Sequence, residues 1–88
     1  MRALGAELVL CEEPDYDAVE ARARAEAERS GALFVSPFDD PFVAAGNGAA
    51  AMNEVLDAMP NVARVVVPVG GGGLVAGVSA ALKARGAK

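Results

Sequence analysis

Histidine is absent from the sequence, and cysteine occurs once, at Cys11. The lack of histidine removes the commonest general base and metal ligand, so no metal site is predicted. A lone cysteine cannot form an internal disulfide, which agrees with a reducing compartment. No apolar run approaches the roughly 20 residues that span a bilayer, and the N-terminus lacks a signal-peptide pattern. These absences predict a soluble cytoplasmic protein.

Positive charge is also scarce. The 88 residues carry a net charge of −4 and contain no basic cluster. This balance argues against nucleic acid and against an anionic membrane surface as partners. A chain of this length suffices for one small domain that buries roughly 60–65% of its unfolded surface. Because much of the apolar content is alanine, we expect a thin core.

A run of four glycines separates the valine-rich stretch Val65–Val69 from an apolar pattern of helical period over 74–84. The valine-rich stretch is typical of a strand that is buried on both faces. Each glycine costs roughly 0.5–1 kcal/mol relative to alanine on folding. Backbone N–H groups that converge on an anion at a helix N-terminus would compensate for this cost. We therefore predict a phosphate or carboxylate site at Gly70, Gly71, Gly72 and Gly73.

Two other interpretations of the glycine run stay open. A flexible strand-to-helix connection that binds nothing would have the same composition. An independent phosphate- or nucleotide-binding domain would also carry a glycine loop, but the spacing fits neither familiar nucleotide motif. No Lys-Ser or Lys-Thr pair follows Gly73, and no acidic residue follows Gly77 at the distance that a dinucleotide fingerprint requires.

Capping residues mark the predicted helix boundaries. Asp15 and Asp40 are good N-caps, and Pro41 occupies a first helical position, where its missing N–H is harmless. Gly5 and Gly31 are typical of helix ends. The predicted helices cover residues 16–30, 42–59 and 74–84.

Acidic side chains are frequent in two stretches, but neither stretch predicts catalysis. The helix over 16–30 mixes Glu and Arg, which is typical of a solvated face with helical ion pairs. Asp39 and Asp40 are neighbours, and two adjacent carboxylates rarely point at one ion, whereas capping accounts for Asp40. We therefore predict no catalytic residue in the chain.

Short strands are predicted at residues 7–11, 32–35 and 65–69, and they alternate with the helices. This order predicts an α/β fold with a small three-layer parallel sheet and flanking helices. Ligands of such sheets bind beyond the carboxyl ends of the strands, where the glycine loop would lie. Three strands leave two exposed edges, so we expect a homo-oligomer or an exchange of elements between copies.

The segment VVVPVGGGGLVAGVSAALKA resembles the phosphate-binding loop of the serine/threonine dehydratase and serine racemase family. Members of this family are pyridoxal-phosphate enzymes with the tryptophan-synthase-β (type II) fold. MRALGAELVL, GALFVSPFDDPFVAAGNG and NEVLDAMPNVARVVVPVGGGGL resemble consecutive pieces from the middle of such an enzyme, so the resemblance covers essentially the whole chain. It implies that residues 1–37 correspond to the end of the small domain. Residues 38–88 then correspond to the cofactor-phosphate-binding part of the large domain.

The resemblance also implies the cofactor and its contacts. Pyridoxal 5'-phosphate would bind through its phosphate to the four loop glycines and to the N–H of Leu74. The family's Schiff-base lysine precedes the region seen here, and Lys83 and Lys88 lie at the far end of the last helix. We therefore expect a fragment of an ammonia-lyase that is inactive alone and binds the cofactor weakly or not at all.

Some positions depart from the family pattern. The family typically has glutamine where Asn47 stands and threonine where Ala49 stands, and it has one residue fewer between Gly48 and Glu54. Family members dehydrate serine or threonine with loss of ammonia, and some racemise serine. The sequence does not separate these two activities. A non-catalytic oligomeric binding or scaffold module remains the alternative function.

Overall fold

The computed structural model describes residues 1–87 of the chain. The chain divides into two compact units, one covering Met1–Phe34 and the other beginning at Val35. The sequence places its domain boundary a few residues later, after residue 37, and this assignment to two domains stays a prediction. No helix in the described part of the chain is long and apolar enough to cross a membrane.

The first unit is built around one helix. A 3-10 turn at Arg2–Leu4 ends at Gly5, and helix α1 covers Tyr16–Ser30. The carboxylate of Asp15 caps α1 by accepting a hydrogen bond from the N–H of Ala18 at 2.8 Å. The predicted bounds of this helix and its N-cap are thus confirmed.

Ion pairs cover the exposed surface of α1, as the mixture of Glu and Arg predicted. Arg24 pairs with Glu20 at 2.8 Å, and Arg29 pairs with Glu26 at 2.5 Å. The Arg24 guanidinium also lies over the Phe34 ring, 4.1 Å from its centre. Each exposed Glu–Arg ion pair contributes only about a few tenths of a kcal/mol to stability. Helix α1 therefore gains little stability from the ion pairs on its surface.

In the part that the structure describes, the second unit contains three further α-helices. A continuous helical stretch consists of α2 at Pro41–Ala44, a π-helical turn at Ala45–Ala49 and α3 at Ala50–Ala58. The last helix, α4, covers Gly73–Ala84. The sequence predicted one helix over 42–59 with a polar interruption at its glycines, and the π-helical turn occupies that place.

The core of the second unit lies between α3 and α4. Met52, Val78 and Ala81 are its buried apolar residues, and Leu56 and Leu82 pack against them. Helix α4 makes its closest approach to the π-helical turn at Gly48 and Gly77. A Cβ atom added at Gly48 would lie 2.7 Å from the Gly77 Cα, so the two backbones touch directly. This contact sets the position of α4 against the first part of the unit.

The three segments predicted as strands are not helical, and none is hydrogen-bonded as a strand within residues 1–87. A strand is stabilised by hydrogen bonds to a neighbouring strand, and these segments have none. Val65 and Val67 nevertheless pack against the core, whereas Val66 between them is 89% exposed. The parallel sheet stays a prediction for these segments.

Candidate functional site

The glycine loop is a bend at residues 70–72 that leads directly into α4. Gly72 is the N-cap of this helix and has a φ of 99°, in the left-handed region that favours glycine. Its carbonyl accepts a hydrogen bond from the N–H of Ala76 at 3.0 Å. The chain therefore enters the helix without any side chain at the cap.

The backbone N–H groups of this loop are available as donors. Within the described part of the chain, the N–H groups from Gly70 to Val75 donate no hydrogen bond to a backbone or side-chain acceptor. The first N–H groups of a helix have no partner inside the helix, and about half a positive charge accumulates there. Gly70 and Gly71 are exposed to solvent, Gly72 is half-buried and Gly73 is buried, so the exposed donors lie at the start of the loop. These donors match the chemistry of a phosphate group.

The four glycines differ in their surroundings. A Cβ atom added at Gly70 or Gly72 would meet no other atom within 4 Å. A Cβ atom at Gly71 would overlap the ring of Phe38, and one at Gly73 would lie 2.8 Å from the Phe38 Cα. Two of the glycines thus pack on Phe38, and the other two border open space. The positions next to Gly70 and Gly72 are therefore not occupied by other atoms of the chain.

The turn that carries Phe38 is held at both ends. The Ser36 side chain is buried, and its hydroxyl accepts hydrogen bonds from the N–H of Asp39 at 3.0 Å and of Phe38 at 3.4 Å. Asp40 then caps α2 by accepting hydrogen bonds from the N–H groups of Phe42 and Val43. The predicted capping role of Asp40 is confirmed.

Sequence reasoning missed Phe38 and Ser36 as parts of this region. The available signal was the glycine run itself, because glycine permits the close approach of another group as well as a positive φ. The glycine run does not identify that other group, because Phe38 and Gly71 lie 33 positions apart in the chain.

The structure does not bring Lys83 to the glycine loop. Lys83 is exposed in the last turn of α4, ten residues after Gly73, so about 15 Å of helix separates them. Lys88 lies outside the described residues. Cys11 is a half-buried free thiol in the other unit. Asn47 is exposed in the π-helical turn.

A shallow cavity of about 390 Å³ lies at the opposite end of α4. Its lining residues are Leu56, Pro60, Val62, Leu82, Arg85, Gly86 and Ala87. The Arg85 guanidinium is already paired with Asp57 at 2.6 Å and donates to Asn53 at 3.2 Å. Within the described residues, no group of three or more acidic or cysteine side chains is placed to hold a metal ion. The loop glycines are therefore the better candidate for a binding site.

A family profile described as "Pyridoxal-phosphate dependent enzyme" matches residues 1–88, the whole chain. The chain is 50% identical over 82 residues to an L-threonine ammonia-lyase of Geobacter sulfurreducens, covering 93% of the chain and 20% of that protein. It is 49% identical over 82 residues to the protein of the same name from Thermotoga maritima, with the same two coverages, 93% and 20%.

A plant protein is also similar. The chain is 42% identical over 83 residues to the chloroplastic biosynthetic threonine dehydratase 1 of Solanum lycopersicum, covering 94% of the chain and 14% of that protein. The chain thus spans about a fifth or less of the length of these relatives. No solved structure matches the chain significantly.

Proposed function

The chain belongs to the family of pyridoxal-phosphate-dependent enzymes, and from this premise we propose that it is the phosphate-binding part of a threonine dehydratase-like ammonia-lyase. One observation carries the proposal. The backbone N–H groups from Gly70 to Val75, at the N-terminus of α4, donate no hydrogen bond within the described residues. The names of the relatives favour threonine as the substrate of the whole enzyme.

The residues of the loop fit the cofactor's phosphate. Gly70, Gly71, Gly72, Gly73 and Leu74 would hold it through their backbone N–H groups, with the positive end of the α4 dipole behind them. Each charge-assisted hydrogen bond contributes about 1.5–3 kcal/mol before the costs of binding are subtracted. Pyridoxal phosphate, when bound, supplies an electron sink that stabilises negative charge on the substrate's α-carbon.

The chain's own residues orient the cofactor and do not carry out the proton transfers. No histidine occurs in the sequence, and Lys83 stands about 15 Å of helix away from the loop. We propose that the 88-residue chain binds phosphate weakly and has no lyase activity by itself.

A titration of the ¹⁵N-labelled chain with inorganic phosphate and with pyridoxal phosphate tests this proposal. We expect saturable shifts of the amide signals of residues 70–74, and loss of these shifts in Gly72→Val, because valine disfavours a φ of 99°. The matched control is Gly86→Val, since Gly86 also has a positive φ, of 83°, but lies at the other end of α4.

The outcomes of the titration separate the candidate functions. If Gly72→Val binds phosphate as the unmodified chain does, the loop is not the site. If a nucleotide binds much more tightly than phosphate, the chain is an independent nucleotide-binding domain.

A self-associating scaffold is the second candidate function, and exposed apolar side chains favour it. Val66 and Val69 are 89% and 66% exposed within the predicted third strand, and Leu33 is 87% exposed within the predicted second. Surfaces of this kind are usually covered by a partner. Light scattering over a range of concentrations should show a mass above that of one chain. A constant monomer mass would exclude this function.

We propose an α/β fold in which the three segments predicted as strands form a parallel sheet. Val65 and Val67 pack on the helices while Val66 points away from them, and this alternation is that of a strand. Amide hydrogen exchange tests the proposal, because pairing with neighbouring strands would protect the N–H groups of residues 65–67. Exchange at the rate of an unstructured chain would contradict it.

A further inference from the structure

The glycine loop and the turn at Phe38 are in direct backbone contact. A Cβ atom at Gly71 would overlap the Cγ and Cδ1 atoms of the Phe38 ring. A Cβ atom at Gly73 would lie 2.8 Å from the Cα and 3.1 Å from the carbonyl oxygen of Phe38. The loop therefore rests on Phe38 more closely than any residue with a side chain would allow.

The position of Phe38 is itself fixed. The buried Ser36 hydroxyl accepts the N–H groups of Phe38 and Asp39, and Asp40 caps the helix that follows. These hydrogen bonds hold the short turn before and after Phe38. The turn consequently offers the loop a rigid surface.

Phe38 is half-buried and lies outside the hydrophobic cluster formed by Met52, Val78 and Ala81 in the described residues. Its packing against Gly71 and Gly73 is therefore not explained as part of that cluster. The contact instead involves Gly71 and Gly73 of the loop, whose N–H groups donate no hydrogen bond within the described residues.

We infer that Phe38 is a positioning residue for the phosphate site. Its ring and backbone fix Gly71 and Gly73, and this holds the loop N–H groups in one arrangement before the phosphate arrives. A preorganised loop binds more tightly because less conformational freedom is lost on binding. The inference rests on the proposed phosphate site, and it assigns the preorganisation of that site to Phe38.

The test compares the unmodified chain with Phe38→Ala, Phe38→Leu and the control Phe42→Ala, with inorganic phosphate as the probe. Phe42 is 86% exposed and four residues away, so its removal should change the phosphate Kd less than about twofold. We expect Phe38→Ala to raise the Kd at least about tenfold, which corresponds to about 1.4 kcal/mol. Phe38→Leu should restore part of the affinity because leucine keeps an apolar surface under the loop. Far-UV circular dichroism checks that each variant keeps its helices.

A double-mutant cycle gives a readout that a general loss of stability would not produce. Gly71→Ala should weaken phosphate binding in the unmodified chain, because its Cβ would overlap the Phe38 ring. The same substitution should have a smaller effect when Phe38 is Leu or Ala, because the overlapping ring is gone. If Phe38→Ala does not fold, the cycle with Phe38→Leu provides the same comparison.

Each outcome bears on the inference separately from the proposed function. Additive effects of Gly71→Ala and Phe38→Leu, or a Kd unchanged in Phe38→Ala, would overturn the inference while leaving the phosphate site in place. If the unmodified chain binds no phosphate, the proposed function fails. The inference about Phe38 is then tested by heteronuclear ¹H–¹⁵N NOE values of residues 70–74 without phosphate. Lower values in Phe38→Ala than in Phe42→Ala would support the inference that Phe38 restricts the motion of the loop. Equal values in the two variants would overturn that inference.

Discussion

The two glycines of the π-helical turn should respond to alanine with opposite signs. A Cβ atom at Gly46 would meet nothing within 4 Å, and the φ of Gly46 is not positive. A Cβ atom at Gly48 would overlap the Leu74 carbonyl oxygen and lie 2.7 Å from both the Gly77 Cα and the Val78 nitrogen. Because these obstacles are backbone atoms, α4 itself would have to move away. We therefore predict that Gly46→Ala stabilises the chain and Gly48→Ala destabilises it.

The expected magnitudes follow from general values for these two effects. Replacing glycine by alanine in a helix contributes up to about 1 kcal/mol of stability. Overpacking costs about 1–3 kcal/mol of stability. Gly48→Ala should lie at the upper end of this range, because the atoms that its Cβ would meet belong to the backbone. The net changes in the free energy of unfolding are then about +1 kcal/mol for Gly46→Ala and about −2 kcal/mol for Gly48→Ala. For a chain of this size, 1 kcal/mol corresponds to about 4–8 °C in Tm.

Thermal unfolding followed by far-UV circular dichroism measures both changes under the same conditions. Gly46→Ala is the matched control, since the two glycines are separated by one residue and lie in the same π-helical turn. A Tm of Gly48→Ala at or above that of the unmodified chain would refute the close helix contact at Gly48, and a lower Tm for Gly46→Ala would refute the open surroundings of Gly46. Gly77→Ala should behave as Gly48→Ala does, because its Cβ would overlap the Ala44 carbonyl oxygen.

Three further predictions concern the helix caps, an ion pair and the glycine loop. Asp40→Ala should lower the free energy of unfolding by about 0.5–2 kcal/mol, through loss of two capping hydrogen bonds, and Asp39→Ala by much less, as measured by denaturant unfolding. The hydrogen bond from Arg29 lowers the pKa of the exposed Glu26 carboxylate. The small stabilisation from this pair is therefore complete above the ordinary pKa of about 4.3 and is lost as the pH falls through the lower folded-state pKa. Arg29→Gln should raise the Glu26 pKa in an NMR titration, and an unchanged value would contradict the pairing. Gly70→Ala should keep the Tm of the unmodified chain and weaken phosphate binding, and binding at full strength would show that the phosphate does not use the open side of Gly70.

The helix boundaries could be predicted from the sequence because their signals are local. Asp15 and Asp40 cap their helices through their own side chains, and Gly5 and Gly31 adopt the positive φ that helix ends require. Each of these features depends on residues within four positions along the chain. Local chemistry of this kind does not depend on what the rest of the protein contributes.

Features that depend on distant contacts were harder to predict. The sequence predicts a polar interruption at Asn47, but not its form, a π-helical turn between two α-helices that is in close contact with α4. The parallel sheet requires hydrogen-bonding neighbours for residues 65–69, and periodicity alone does not supply them. The contact between Phe38 and Gly71 joins residues 33 positions apart, so no local pattern indicates it.

The glycine run illustrates how one sequence pattern can have several physical causes. The sequence predicts anion binding because four glycines together cost stability that a ligand would compensate. In the structure, Gly71 and Gly73 are explained by the contact with Phe38, and Gly72 is explained by its φ of 99°. Only Gly70 lacks an internal reason, so the number of glycines no longer supports the phosphate site. What supports it is the row of N–H groups that donate to no acceptor in the described residues. The contact with Phe38 requires glycine at Gly71 and Gly73, which also carry N–H groups of this row, so packing and phosphate binding favour the same residues.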